Sequence, residues 1–309
     1  MLDGAVVLLR FAQYGTASIL FGSSLFFLYA LPRSGAFSAA ALTWPRHLVA
    51  AAAIALLFAT LLGLVAQTSV MAGSLSAALT LPSIEAVVMG MDLGKSAIVR
   101  AAVAGLAALV LVLAGPSATK WTIAAALGAV ASASFAWMGH GAATEGAGGR
   151  LHLLSDILHS WAAAAWIGAL CAFALLLWRG QPSDAALRIT HRALQRFSGV
   201  GTVLVGTLVA TGLINGWFLV GPEYASSLLR TDYGVLLAAK LVLFAGMLAL
   251  ASANRFRLTP RLESRLDTPV QNSRAIRALR RSVMLETTLG FGVLAAVAWF
   301  GTLPPPGAM

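Results

Sequence analysis

Eight apolar runs, at about residues 6–31, 48–70, 97–114, 121–138, 153–178, 198–220, 234–252 and 284–303, take up most of this chain. Each approaches the ~20 residues that a helix needs to cross a hydrocarbon core of ~30 Å. Of the 309 residues 59% are hydrophobic and only 10% charged, against roughly a quarter charged in soluble domains, so lipid is the expected solvent. The runs are long, rich in Leu, Ala and Val, and do not alternate. A barrel strand would alternate over ~10 residues, whereas a helix satisfies every backbone group within itself. The predicted fold is an all-α integral membrane protein of about eight spans. The first run carries Asp3 where a leader would be basic, and it exceeds the ~7–15 apolar residues of a cleavable segment, which predicts a retained helix.

Net charge is +10, and its distribution matters more than its sum. The connections after the first, third, fifth and seventh runs carry Arg33, Arg46, Lys120, Arg179, Arg188, Arg192, Arg196, Arg255, Arg257, Arg261, Arg265, Arg274, Arg277, Arg280 and Arg281. The other side has only Arg10, Lys95, Arg100, Arg150 and Arg230 at or near its helix ends. By the positive-inside rule the Arg-rich side is cytoplasmic and both termini lie outside, in the periplasm if the membrane is a bacterial inner membrane. The basic excess is thus a topology signal: residues 254–281 sit against the membrane with Phe256 as their one stacking aromatic, which points to anionic lipid as the contact and not nucleic acid. Trp44, Trp121, Trp137, Trp178, Trp217 and Trp299 lie near span ends, where an aromatic belt is expected.

No hydrophilic stretch is long enough for a soluble domain, and there is no GxxxxGK[ST] phosphate loop, so a primary ATP-driven pump is disfavoured. The chain reads as one polytopic domain spanning 1–309. A weak internal repeat runs through it. Met91-Asp92-Leu93-Gly94 leads to Arg100, Thr231-Asp232-Tyr233-Gly234 leads to Lys240, and the two copies are 140 residues apart. Gly22 and Gly168 occupy comparable places in the first and fifth spans, which suggests parallel halves at 1–140 and 151–309. The single cysteine, Cys171, excludes an intramolecular disulfide and a Cys-based metal motif, and reads as a packing residue.

Ionisable groups inside lipid are costly and usually face the bundle interior, which makes each a functional candidate. His152, Asp156 and His159 stand at i, i+4 and i+7, on one helical face that descends about 10 Å from the outer interface if the helix starts near Leu151. Met138, His140 and Glu145 precede them in a Gly-rich turn able to fold towards the same entrance. Neutral imidazole suits copper, zinc, iron or nickel; carboxylate adds affinity for the harder divalent ions, and thioether favours Cu(I). The interfacial alternatives stay open: a histidine here can simply hydrogen-bond, and Asp156 can pair with Arg10, Arg100 or Lys240. Trp161 and Trp166 lie deeper and are candidates to pack around this face. Glu286 is expected to pair with Arg255 or Arg281, and His47 and His191 read as solvated residues of the cytoplasmic interface.

The chain resembles the CopD/PcoD family of bacterial copper-resistance and copper-uptake membrane proteins. The resemblance is carried by Phe197-Ser198, Thr211-Gly212, Asn215-Gly216-Trp217, Thr231-Asp232-Tyr233-Gly234, Leu237, Lys240, Asn254-Arg255 and Arg281-Ser282-Val283 with Glu286, within a core at about 193–303. His159-Ser160-Trp161 and Trp166-Ile167-Gly168 add to it. It implies an eight-span inner-membrane protein that moves copper ions from periplasm to cytoplasm, without enzymatic activity and often with a small periplasmic CopC-like copper-binding partner. Two other readings compete. A haem b electron carrier needs histidine pairs on facing helices, and a non-transporting assembly or sensor protein needs no path at all.

The charge asymmetry yields a first expected outcome. With Cys171→Ala as background, Arg265→Cys resists impermeant thiol reagents applied to intact cells; labelling from outside across intact membranes reverses the orientation.

Overall fold

The computed structural model of the chain describes residues 2–32, 35, 38–39, 42–115, 117–138, 146–179, 184–263 and 269–306. Its regular elements are all helical. Helix α1 runs from Leu2 to Ser18 and continues through a π turn, Ile19–Ser23, into Ser24–Ala30. It is followed by α2 (Thr43–Ala72), α3 (Asp92–Leu113), α4 (Ala118–Ala133), α5 (Gly146–Arg179) and α6 (Asp184–Leu219). Helix α7 (Asp232–Ala253) continues through a second π turn, Asn254–Leu258, into Thr259–Glu263, and α8 spans Pro269–Phe300.

Seven of these helices are long and apolar enough to cross a membrane. The remaining predicted span, α4, has 16 α-helical residues, and a 3₁₀ turn at Ser134–Trp137 lengthens it. Helix α5 starts at Gly146, earlier than the expected Leu151, because part of the Gly-rich segment is already helical.

Helix α5 is the hub. Two thirds (67%) of its most apolar window is buried, against 11% for α6 and for α7, whose large apolar residues such as Val203, Leu213, Leu241 and Val242 face outward. Without water to drive helices together, close packing of small residues does so, and α1 meets α5 through glycines. A methyl group on Gly22 would fall 2.1 Å from the Ala164 carbonyl oxygen, and one on Gly168 would fall 2.2 Å from the Ser18 carbonyl oxygen. The π turn of α1 lies at this crossing, and Ser23 Oγ donates to the Gly168 carbonyl at 2.7 Å. A widened helical turn frees a carbonyl from its usual partner and tends to occur where another element intrudes.

Towards the end of the bundle where α1 and α5 finish, the core is aromatic. Phe26 meets Phe173 at 4.6 Å, and Phe27 meets Trp121 at 5.1 Å and Trp44 at 5.5 Å, all edge to face. This corrects the expectation for two tryptophans. Trp44 and Trp121 are buried in that core, whereas Trp137, Trp178, Trp217 and Trp299 are exposed as belt residues would be. Cys171 is a buried free cysteine packed with Ile167 and Leu294, as its apolar setting suggests.

The repeated sequence signals recur as repeated geometry. Both Asp92 and Asp232 sit in the first turn of their helices, where the dipole favours a carboxylate, and Thr231 caps α7 by accepting from Gly234 N at 3.1 Å. Gly94 and Gly234 each admit a preceding carbonyl, Val87 O and Leu228 O, that a side chain would strike at 2.1 and 1.8 Å. Six residues on, the Arg100 guanidinium lies 4.1 Å over Phe135 of the turn that ends α4, and the Lys240 ammonium 5.7 Å over Phe300 of α8. We propose that these pairs reflect two parallel four-helix halves meeting where Gly22 faces Gly168. The proposed halves differ in their packing: α2 packs closely on α3, while α6 and α7 scarcely touch.

The glycine crossing sets the second expected outcome. Gly168→Leu costs at least about 3 kcal/mol, the upper end of usual overpacking penalties, read as a fall in melting temperature in detergent. Gly206→Ala, with nothing within 4 Å of the added carbon, leaves stability unchanged or raises it by up to ~1 kcal/mol. Equal stability of the two variants contradicts the close crossing.

Candidate metal-handling site

His152, Asp156 and His159 lie on the face of α5 that packs against α6, and each meets its own partner there. His152 stacks on Phe218, with ring centroids 4.8 Å apart and planes 10° apart. Asp156 Oδ1 accepts from Asn215 Nδ2 at 3.2 Å, and His159 Nδ1 lies 2.9 Å from Thr211 Oγ1. As α5 runs from 152 to 159, α6 runs back from 218 through 215 to 211. This is the register of two antiparallel helices, which pair residues four and three apart on each. Ser155 Oγ ties the same faces together by donating to the Thr211 carbonyl at 3.1 Å.

The Thr211 hydroxyl favours one tautomer of His159. Its own proton goes to the Thr207 carbonyl at 2.5 Å. A hydroxyl has one proton, so towards His159 it accepts, and Nδ1 carries the hydrogen. Nε2 is then the lone-pair nitrogen, the form a metal requires of a neutral imidazole whose other nitrogen is fixed by a neighbour. Asn215 acts similarly on Asp156: its amide donates to the carboxylate, and its Oδ1, buried, has no hydrogen-bond partner among the described residues. Neither Thr211 nor Asn215 is among the ligand candidates read from sequence. The available signal was a polar pair at i, i+4 on an otherwise apolar helix, within two of the motifs that carry the family resemblance.

Lys240 of α7 interacts electrostatically with both Asp156 and His159, without forming a direct ion pair. Arg100 plays no such part. Fully buried, it donates from Nε to Ser134 Oγ at 2.9 Å, from one terminal nitrogen to Gln13 Oε1 at 2.9 Å and from the other to the Ser134 carbonyl at 3.2 Å. Arg10 likewise bonds backbone, Gly301 O at 2.6 Å and Met138 O at 3.3 Å. Of the three cations at this depth, only Lys240 acts on Asp156; Arg100 is taken up by Gln13 and Ser134, and Arg10 by the backbone carbonyls of Met138 and Gly301.

Other expected site residues fall elsewhere. Met138 lines a small cleft with Arg10, Gln13 and Arg100, on the side of the bundle formed by α1, α2 and α3, and not the α5–α6 face. His140 and Glu145 lie outside the described residues. His152, expected nearest to water, is 1% exposed beneath Phe218. The three ionisable side chains form a row and not a cage, and among the described residues no three His, Cys, Asp or Glu converge to hold an ion.

Deeper in the bundle, Trp161 turns away from the row, its indole donating to Ala129 O of α4 at 2.8 Å. Trp166, seven residues beyond His159 and so about 10 Å further along the same face, donates to Glu286 Oε1 at 2.9 Å. Glu286 is 1% exposed, and its Oε2 accepts from Asn254 Nδ2 at 2.9 Å. The expected pairing of Glu286 with an arginine is therefore corrected for Arg255, which bonds Thr202 Oγ1 and Ser198 O of α6. His191 is buried and not solvated, while His47 is exposed as expected.

The fold is that of a polytopic helical membrane protein with histidine, carboxylate and amide groups set in a row between two helices. The comparisons narrow the class. A family model described as copper resistance protein D matches residues 191–300, and one described as copper resistance protein D-like, N-terminal domain, matches residues 1–150. The chain is 36% identical over 307 residues to copper resistance protein D of Pseudomonas syringae pv. tomato, covering 99% of this chain and 98% of that protein. The chain therefore belongs to the copper resistance protein D family. It is also 33% identical over 174 residues to copper transport protein CutJ of Bacillus subtilis strain 168, covering 55% of this chain and 28% of that one. To inner membrane protein YebZ of Escherichia coli K12 it is 32% identical over 173 residues, 55% of each chain. No solved structure matches the chain.

Proposed function

We propose that this protein carries copper ions across the inner membrane, from periplasm to cytoplasm, along the face of α5 that bears His152, Asp156 and His159. The observation that carries the reading is the contact of His159 Nδ1 with Thr211 Oγ1, which favours Nε2 as a lone-pair donor inside the membrane. Family membership supplies the cargo. Copper accepts imidazole and oxygen donors, and a row of single ligands about 4–6 Å apart in helical rise lets an ion pass from one to the next without full encapsulation. A cage would bind more tightly and release more slowly.

The neighbouring groups suit such transfer. Asn215 holds the Asp156 carboxylate and adds an amide oxygen beside it. Lys240 balances the carboxylate before the ion arrives and opposes the ion once there, which keeps residence short. His140 and Glu145 are the remaining candidates for the mouth of the path, and a periplasmic CopC-like protein is the proposed donor. Bilayer lipid surrounds the exposed faces of α6 and α7.

The test is copper accumulation at matched expression. His159→Gln lowers it by about tenfold or more, and His152→Gln/His159→Gln lowers it further. Thr211→Val keeps the shape but removes the acceptor that favours the tautomer, and lowers accumulation by about tenfold, the smaller end of effects from groups that orient a ligand. Normal accumulation in the double variant overturns the path.

A further inference from the structure

Between α6 and α7, where the two helices part, lies a cavity of about 220 Å³, large enough for several water molecules. Its walls include Glu286 and Asn254 at one side, the hydroxyls of Ser198, Thr202, Ser252 and Thr259, and apolar residues of α5 and α6. Asn254 opens the π turn of α7, a local widening that sets its amide against Glu286 and not along the helix.

The bonding of this pair is incomplete in a specific way. Each Glu286 oxygen accepts one hydrogen bond, from Trp166 and from Asn254, both neutral donors. Each therefore keeps one lone pair. Asn254, 8% exposed, has an Oδ1 with no hydrogen-bond partner among the described residues, and the nearby Ser282 Oγ has none either. Glu286, on α8, meets α5 and α7 through Trp166 and Asn254, and among the described residues the only other ionisable one lining the cavity is Arg255. Its guanidinium is held by Thr202 and Ser198. A carboxylate buried among neutral dipoles inside a bilayer is costly, and the cost is removed by a cation bound from the cavity. The donors are all oxygen, too hard a set for Cu(I), while a proton requires only one free lone pair and a water to deliver it.

We propose that Glu286 is a proton-exchange site, loaded and emptied through water in the α6–α7 cavity, with Asn254 Oδ1 holding the delivering water. In loading, a hydronium ion gives its proton to a carboxylate oxygen and leaves as water; unloading is the reverse. Trp166 places the site on the same α5 face as His159. Resting on the copper reading, proton release at Glu286 then offsets the charge of an ion arriving from above.

The site itself is tested without copper, so its failure is separate from failure of the copper path. Infrared difference spectra of the purified protein in liposomes, taken across a pH titration in potassium buffer, show a protonated-carboxyl band that disappears as pH rises. Glu286→Gln removes one such band. The amide can still accept from Trp166 and, with Asn254 turned over, donate to its Oδ1, so the fold is kept. Asn254→Ala leaves the band but displaces it, because a donor to the carboxyl is lost. Spectra of both variants identical to those of the original protein overturn the proposal. Loss of the band on adding sodium at constant pH also overturns it, by assigning the site to sodium.

Discussion

Helix α5 occupies the centre of the bundle because α1 approaches it with no side chain in between: Gly22 faces Gly168, and each gives the other's backbone the space a methyl group would fill. Lipid offers apolar helices no gain from mere contact, so close crossings of this kind hold them together. With α1 and α4 on one side of α5, its opposite face is left for α6 and α8. That face carries His152, Asp156, His159 and Trp166. The glycine crossing thereby fixes which residues of α5 meet polar partners.

Three buried ionisable side chains then share one rule. Each is satisfied across a helix boundary by a neutral dipole: Arg100 by Gln13 and Ser134, Asp156 by Asn215, Glu286 by Trp166 and Asn254. Among the described residues the one direct ion pair is the exposed Lys95–Asp92 contact. Neutral partners stabilise a charge without cancelling it, which is the basis for proposing Asp156 and Glu286 as groups that take up a cation. A tight salt bridge at either place would have removed that basis. The parting of α6 and α7 leaves a cavity beside Glu286, the route by which water is proposed to reach it.

Much of this was legible in the sequence, and for physical reasons. Lipid imposes helices of a set length, so the eight runs mark the helices even where α4 proves short. The three-four spacing of His152, Asp156 and His159 placed them on one face because helical geometry fixes that independently of the rest of the fold. What faces them was not legible, since Thr211 and Asn215 are read as ordinary polar residues until α6 is docked in register. Glu286 shows the same limit. Nearby arginines suggested an ion pair, but the π turn swings Asn254 inward and sends Arg255 to α6. The interior tryptophans Trp44 and Trp121 were misplaced because position near a span end does not reveal which way a side chain points.

The central claim, that copper is carried by the imidazoles of the α5 face, is most directly tested by X-ray absorption at the copper edge on the copper-loaded, purified protein. Imidazole scattering that is diminished in the His152→Gln/His159→Gln variant is the expected result. A copper environment without imidazole, or one that the double substitution leaves unchanged, contradicts it.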